Sequence, residues 1–403
     1  MRTIGLDVHR RFAEVAILEG KEERRLRIST EPAALRDFAQ TLGPDDQVVL
    51  EATANTWAIA DLLSGHAGSV VVSNPLRTKA IADAKIKTDK VDAKTLAQLL
   101  AADFIPAVWV PDPATRALRG QIARHRTLVQ QRTRLRNQVH AALIRSLVQC
   151  PHSDLFGKAG RRWLAGLTLA SHERDGVESS LRLHDAFDAE LAQLERELSA
   201  AALAHPDAQL LCTISGIGPV TALALCAVIG PIDRFSSPSK LVGYLGLDPT
   251  VRQSGDRPAR IGHISRAGQA HARGLLVEAA HGAVRSPGPL AAFHDRVVDR
   301  RGPAIAAVAV ARKLAVLVWY LLRRRTAYRF VQPTLLADKQ RRIELAAGAP
   351  RRQRGTRLPL TRAERLGTER AALEEAERTY RALVRERTRK QKRDAAAATG
   401  ERP

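Results

Sequence analysis

The 403-residue sequence is poor in cysteine and in aromatic residues. Its three cysteines, Cys150, Cys212 and Cys226, are odd in number and lack the spacing of metal ligands. We therefore expect neither a disulfide framework nor a zinc site, and a reducing cytoplasm fits. Phe, Trp and Tyr together make up only 4% of the chain. The hydrophobic cores must therefore be built from Leu, Ala, Val and Ile.

Long apolar runs are also missing. The stretch at residues 305–322 comes closest to a membrane span, but Arg312 and Lys313 interrupt it. The amino terminus lacks the apolar core of a signal peptide. We therefore expect a cytoplasmic protein that has no membrane partner.

Positive charge, in contrast, is abundant. The chain has 64 Lys and Arg residues against 42 Asp and Glu residues, a net charge of +22. Such an excess indicates a polyanionic partner, and nucleic acid is the obvious one. Residues 1–113 hold 14 basic and 16 acidic residues, so the excess lies in the rest of the chain. The acids of the first segment are thus available for a cation.

Residues 1–113 alternate short β-type runs with helical ones, which predicts an α/β layer fold. The length of the chain implies two or three domains. We expect strands at residues 3–8, 12–18, 24–28, 47–51 and 69–72, and helices at residues 32–41, 57–64, 76–84 and 89–102.

Four acids of this segment form a candidate metal site. Asp89 and Asp92 are three residues apart, so they lie on one face of a helix about one turn apart. Like charges this close repel each other, but a hard divalent cation favours several carboxylate oxygens. Asp7 and Glu51 close two predicted strands and could join them. In the alternative interpretation, Asp89 and Asp92 are solvated helix acids and Glu51 is an ordinary strand-end residue.

A long basic helix follows, within a helical arm predicted at residues 114–207. Between residues 116 and 145 there are eight arginines and no acid, which favours contact with a phosphate backbone. Alternatively, its arginines meet the acids of residues 181–204, with which it would form an antiparallel arm. The nucleic-acid-binding candidates in this helix are Arg119, Arg126, Arg132, Arg134 and Arg136.

Residues 208–330 indicate a second, mainly helical domain that carries two candidate sites. Gly216 and Gly218 precede a helix, where backbone N–H groups can bind phosphate, as in a helix-hairpin-helix element. A plain helix-entry turn is the alternative. Ser254 lies in a loop followed by Arg257 and Arg260, and could attack a phosphodiester. On spacing alone it is more simply an ordinary turn serine.

Residues 331–403 carry 19 basic and 10 acidic residues. We predict a linker at residues 335–359 and a helix at residues 361–393 that is either solvated or in contact with RNA. The last ten residues have the composition of a disordered tail.

Short motifs in one order give the chain a resemblance to the IS110 family of insertion-sequence transposases, over residues 1–328. In the first segment they are Ile4-Gly5-Leu6-Asp7-Val8-His9, Leu50-Glu51-Ala52-Thr53, Ser73-Asn74-Pro75 and Lys87-Thr88-Asp89-Lys90-Val91-Asp92-Ala93. Later they are Gly216-Ile217-Gly218-Pro219-Val220-Thr221-Ala222, Arg234-Phe235, Gly246-Leu247-Asp248-Pro249, Ser254-Gly255 and Ile264-Ser265-Arg266-Ala267-Gly268.

The resemblance implies a RuvC/RNase H-like DEDD domain, a coiled-coil arm and a carboxy-terminal transposase domain. By motif, Asp7, Glu51, Asp89 and Asp92 match the family's magnesium-binding acids, and Ser254 matches its nucleophilic serine. It implies a covalent phosphoserine intermediate, donor and target DNA as substrates, and an element-encoded guide (bridge) RNA. It further implies a dimer or tetramer acting at the bacterial nucleoid. Ala54 departs from the glycine common in the family, and the long basic tail does not map onto the family pattern.

Two other functions remain open from the sequence. A metal-dependent RuvC-like nuclease or junction resolvase would use the same acids with water as nucleophile. A non-catalytic nucleic-acid-binding protein would have lost its active site, against which the intact acids argue.

Overall fold

The computed structural model describes residues 1–81, 88–255, 257–351 and 360–399, with side chains described as far as residue 391. The chain divides into two units, Met1–Asp112 and Pro113–Pro403. The helical arm, the serine-bearing segment and the tail predicted from the sequence all lie within the second unit.

A five-stranded sheet organises the first unit. Its order is β3-β2-β1-β4-β5, with β1–β2 and β2–β3 antiparallel and with β1–β4 and β4–β5 parallel. The elements are β1 (Thr3–Val8), β2 (Phe12–Glu19), β3 (Glu22–Ser29), α1 (Pro32–Gln40), β4 (Gln47–Glu51), α2 (Thr56–Ser64), β5 (Ser69–Ser73), α3 (Pro75–Ile81) and α4 (Asp89–Ala101).

Burial explains this order of strands. The central strands β1 and β4 are buried along most of their length, as strands covered on both faces must be. The charged strand β3 lies at the exposed edge, where charge discourages pairing with another sheet. The predicted α/β fold is confirmed, with the strand ends shifted by at most two residues. Residues 82–84 of the predicted third helix lie outside the described residues.

The second unit is mainly helical, as predicted. Its elements are α5 (Pro113–Arg145), α6 (Lys158–Ala165), α7 (Ser171–Ala204), α8 (Pro206–Cys212), α9 (Pro219–Ile229), α10 (Pro238–Tyr244), β6 (Pro249–Arg252), β7 (Arg260–Ile264), α11 (Ala270–Ala283), α12 (Pro289–Arg301), α13 (Pro303–Arg324), α14 (Pro333–Ala346) and α15 (Arg362–Thr399).

Its largest core is built from Leu, Ala, Ile and Val, as the scarcity of aromatic residues requires. Helix α13 has the length and hydropathy of a membrane span, but half of its apolar window is buried within the protein. Leu314, Ala315 and Val318 of this helix are completely buried. Its apolar character therefore has a structural explanation as part of this core.

The structure differs in two details from what the sequence predicted for this unit. The linker predicted from residue 335 is helix α14 as far as Ala346, and Ile343 of this helix is buried in the main core of the unit. The loop predicted around Ser254 is the turn of a two-stranded hairpin, whose strands β6 and β7 are four and five residues long. Strands this short leave little alternation to detect in a sequence.

Candidate functional site

The acidic cluster is created by the close packing of α4 on β1. Gly5 and Asp7 project on the same face of β1, since strand side chains alternate. A Cβ atom at Gly5 would collide with the Ala93 carbonyl and lie 2.7 Å from the Ala97 nitrogen. Glycine therefore lets the helix backbone rest on the strand. Asp89, one turn before Ala93, is thereby brought over Asp7.

Thr88 fixes where this helix begins. It is the N-cap residue of α4, and its hydroxyl accepts a hydrogen bond from the Val91 amide at 3.4 Å. Asp89 and Asp92 then occupy the first turn of α4, where the helix dipole favours carboxylates. Lys87 of the same motif lies outside the described residues.

Three side chains converge at the centre of the cluster. His9 Nε2 lies 3.2 Å from Asp7 Oδ2 and 3.2 Å from Asp89 Oδ2. The three ligand atoms all lie within 4.8 Å of one another. Among the described residues, Nε2 has no hydrogen-bond partner of good geometry, although it is shielded from solvent. The phenyl ring of Phe12 supports the imidazole, with ring centroids 4.7 Å apart.

The electrostatics of Asp7 reflect this crowding. Burial raises the pKa of Asp7 above its ordinary value, and the charges of Asp89 and Asp92 raise it further, whereas His9 lowers it. Without a cation the cluster therefore carries unfavourable negative charge. A divalent cation would relieve both the repulsion and the desolvation.

Glu51 and Asp92, the other two predicted acids, stand on β4 and on α4. Leu6 of β1 pairs with Leu50 of β4, so Asp7 and Glu51 follow paired positions at the same ends of two parallel strands. Neither Glu51 nor Asp92 belongs to the group whose ligand atoms meet within 4.8 Å. The structure thus brings Asp7 and Asp89 together most closely, with Glu51 on the adjacent strand.

The donor set fits a divalent cation. Neighbouring ligands of an octahedral ion with bonds of about 2.1 Å are separated by about 3.0 Å, close to the separations that His9 makes here. His9 was not among the site residues predicted from the sequence. Its position two residues after Asp7 was the available hint of a role as a metal ligand. An isolated histidine near a strand end is too common for that spacing to assign the role.

Ser254 lies at the turn of the β6–β7 hairpin and is exposed. The next residue, Gly255, has φ of +58°, a conformation that favours glycine. The Ser265 hydroxyl donates to Asp248 Oδ1 at 2.7 Å and anchors the base of the hairpin. Arg252 of β6 and Arg260 of β7 lie directly opposite each other in the hairpin. Like charges in that arrangement destabilise a hairpin unless an anion lies between them.

Sequence comparisons bear on both of these regions. Residues 4–146 match the family profile for DEDD transposases of the IS110 type. Residues 208–295 match the profile described as "Transposase IS116/IS110/IS902 family". The chain belongs to this transposase family. The acidic cluster lies within the first match and the serine hairpin within the second.

Several relatives align with this chain over most of their own length. A "Probable family 20 transposase" of Pseudomonas aeruginosa is 28% identical over 81% of this chain and 98% of its own. The "Transposase for insertion sequence element IS1328" of Yersinia enterocolitica is 26% identical over the same shares. A "Pilin gene-inverting protein" of Moraxella lacunata is 27% identical over 68% of this chain and 80% of its own.

In the transposase, several arginines of α5 have partners within the protein. Arg119 donates to the carbonyls of Ala227 at 2.8 Å and Val228 at 3.3 Å. Arg132 pairs with Asp188 of α7 at 2.8 Å. Arg136 stacks over the ring of Phe156.

Arg126 and Arg134, in contrast, are exposed. The structure therefore supplies the acidic partner helix that the sequence left as an alternative. Acidic partners on α7 account for only part of the five candidate arginines. The nucleic-acid role of all five arginines remains a prediction.

Gly216 has a structural reason to be glycine. Its φ is +86°, and a Cβ atom there would lie 2.8 Å from the Ala283 nitrogen of α11. Gly218 is the N-cap residue of α9 and has no side chain with which to cap it. Among the described residues no side chain caps α9, so the N–H groups that follow Pro219 are open to another acceptor such as a phosphate.

Proposed function

We propose that this transposase cleaves and exchanges strands of donor and target DNA, with Ser254 as the nucleophile and with Mg²⁺ held by Asp7, Glu51, Asp89 and Asp92. The observation that carries the metal site is the approach of Asp7 and Asp89 to one shared point beside His9. A bound divalent cation would offset the negative charge of the scissile phosphate.

The secondary structure of the first unit holds the acids of the proposed metal site in place. Asp7 is fixed by the central strand β1, and Asp89 and Asp92 by the capped first turn of α4. The strand order, with three antiparallel strands followed by two parallel ones, supports a RuvC/RNase H-like assignment for the first unit. His9 would add a nitrogen ligand to the carboxylate oxygens.

An exposed hydroxyl in basic surroundings supports the proposed covalent step. Ser254 Oγ attacks the scissile phosphorus, and the bond from phosphorus to the departing deoxyribose oxygen breaks. The serine proton goes to that departing oxygen, so the charge on the DNA is conserved in a phosphoserine ester. Attack by a hydroxyl of a second strand reverses the step and regenerates the serine. Strand exchange thus needs no external energy source.

Contacts with nucleic acid would come from exposed basic groups. The opposed pair Arg252 and Arg260 supports an anion at the hairpin, and Arg257 lies in the same turn. Arg126 and Arg134 would add contacts along α5, and the Gly216–Gly218 turn a backbone contact.

Sequence choice would come from pairing of an element-encoded guide RNA with donor and target DNA. An oligomer, from dimer to tetramer, would bring together the acids and serines of different protomers. A relative named for gene inversion supports recombination rather than simple hydrolysis as the outcome.

Covalent trapping tests the proposal. The protein, the non-coding RNA flanking its gene, Mg²⁺ and labelled donor DNA are incubated and then denatured, and the label on protein is measured. We expect an adduct that requires Mg²⁺ and that is absent in Ser254→Ala. Ser239→Ala, which removes an exposed hydroxyl in α10, should retain it.

The outcomes separate the two metal-dependent mechanisms. Cleaved DNA without an adduct, unchanged by Ser254→Ala, would indicate a hydrolytic nuclease and would refute the role of the serine. Normal cleavage by Asp89→Ala would refute the metal site in either mechanism.

A further inference from the structure

A lysine from the carboxy-terminal region is inserted into the turn between α8 and α9. Lys339 of α14 places its ammonium Nζ 2.6 Å from the Cys212 carbonyl oxygen, 3.1 Å from that of Ile214 and 3.2 Å from that of Ile217. The Cys212 and Ile214 oxygens belong to the segment that leads into the Gly216–Gly218 turn, and the Ile217 oxygen belongs to the turn itself. Helix α14 lies outside both regions that match the family profiles.

All three N–H bonds of the ammonium are used by neutral carbonyl groups. This is unusual chemistry for a partly buried lysine, which ordinarily pairs with a carboxylate or reaches solvent. Burial lowers the pKa of Lys339, so its charge is held at a cost that the carbonyl dipoles must offset. Cys212 is the last residue of α8, where carbonyls carry the negative end of the helix dipole.

Three carbonyl oxygens that converge on one point have the donor chemistry of a site for a monovalent metal cation. In such sites backbone carbonyls replace the hydration shell of K⁺ or Na⁺. An ammonium group offers the same charge, with N–H bonds directed at the same oxygens. The three oxygens and the single positive charge between them therefore match the chemistry of a cation site.

The site is held in shape by the surrounding structure. Ile214 and Ile217 are completely buried, and the Ile217 amide also donates to the Ile214 carbonyl at 3.2 Å. On the opposite side the turn is packed against α11, where a Cβ atom at Gly282 would lie 2.7 Å from the Gly216 Cα. The three carbonyls thus have little freedom to turn away when their partner is removed.

We propose that the carbonyls of Cys212, Ile214 and Ile217 form a monovalent-cation site that the carboxy-terminal region occupies with the Lys339 ammonium. The Lys339 ammonium then acts as a built-in cation in the turn before α9, and removing the side chain opens the site to K⁺. This inference does not depend on the serine, on the acidic cluster or on DNA cleavage.

Thermal unfolding of matched variants tests it. Lys339→Ala opens the site, Lys339→Met fills it with an uncharged chain of similar length, and Lys158→Ala removes an exposed lysine as a control for charge. Each protein is unfolded in KCl and in tetramethylammonium chloride at equal ionic strength. We expect K⁺ to raise the melting temperature of Lys339→Ala by about 2–4 °C. The wild type, Lys339→Met and Lys158→Ala should not respond specifically to K⁺.

A direct measurement complements the unfolding. Thallium NMR with Tl⁺, a mimic of K⁺, should show a bound resonance for Lys339→Ala that is absent for the wild type and for Lys339→Met. Equal responses of Lys339→Ala and Lys339→Met to K⁺, or a bound Tl⁺ signal in the wild type of equal strength, would overturn the proposal.

Should Lys339→Ala fail to fold, the wild type provides the test. Acetylation in the native state followed by mass spectrometry should modify Lys158 rapidly and Lys339 only on unfolding. Acetylation of both lysines at similar rates in the native protein would refute an ammonium held by the three carbonyls.

Discussion

Gly5 and Ala93 are in such close contact that the strand and the helix meet through their backbones. A side chain at Gly5 would push α4 away from β1, since its Cβ atom would collide with the Ala93 carbonyl. The same contact sets the distance between Asp7 and Asp89. The packing of α4 on β1 and the geometry of the candidate metal site therefore depend on the same contact.

We predict that Gly5→Ala lowers the free energy of unfolding by about 1–3 kcal/mol, the usual cost of overpacking a core. It should also weaken Mn²⁺ binding, because Asp89 moves away from Asp7. Chemical denaturation and Mn²⁺ titration measure the two effects. Gly43→Ala is the control, since the nearest atom of the described residues to its Cβ atom would be 3.9 Å away. Unchanged Mn²⁺ affinity in Gly5→Ala would show that the helix contact does not position the acids.

Asp7→Asn should stabilise the metal-free protein near neutral pH while abolishing metal binding. The pKa of Asp7 is raised by burial and by its acidic neighbours, so the folded state holds this proton more tightly than the unfolded state. This group therefore contributes stability at low pH, which is lost as the pH rises through its raised pKa.

Denaturation of wild type and Asp7→Asn without metal from pH 4 to 8 checks this sign. The wild type should lose stability relative to the variant as the pH rises. Metal affinity of the wild type should increase over the same range, because the cation competes with the proton. A variant less stable than the wild type at neutral pH would contradict the argument.

His9→Gln should lower Mn²⁺ affinity by about tenfold or more and Mg²⁺ affinity less, because imidazole favours transition metals over Mg²⁺. Electron spin-echo spectroscopy of bound Mn²⁺ should detect coupling to an imidazole nitrogen in the wild type and lose it in His9→Gln. His66→Gln, at an exposed histidine of the same unit, should retain that coupling. Its absence from the wild type would exclude His9 as a ligand.

Arg134→Ala should reduce the salt dependence of DNA binding by about one ion equivalent, because an exposed arginine is free to contact phosphate. Arg124→Ala is the matched control, since the Arg124 guanidinium pairs with Glu190 of α7 at 2.6 Å. Binding isotherms at several salt concentrations give the slopes. Equal slopes for wild type and Arg134→Ala would remove Arg134 from the nucleic-acid interface.

Much of the first unit was predictable because its signals are local. Strands β1 and β4 were predicted to the residue, since runs such as Thr3–Val8 combine apolar residues with clear ends. The acids Asp7, Glu51, Asp89 and Asp92 were selected by position at strand ends and on one helix face. Their chemical role remains a prediction, but Asp7 and Asp89 do lie together.

The arginines of α5 show where local signals fail. Sequence alone could not separate Arg132, which pairs with Asp188, from Arg134, which is exposed. Both residues are arginines of the same helix and are only two positions apart. Only the position of α7 distinguishes them. The same holds for Lys339, whose three partners lie more than 120 residues earlier in the chain.

Sequence patterns were enough to predict the α/β character of the first unit, the helical character of the second, the candidate acids and serine, and the resemblance to a transposase family. These properties follow from periodicity, charge and short motifs, which act over a few residues. The contacts of His9 with the acids and of Lys339 with three carbonyls emerged only from the folded chain. Such contacts depend on how distant segments pack, and packing is set by the whole fold rather than by any one stretch of it.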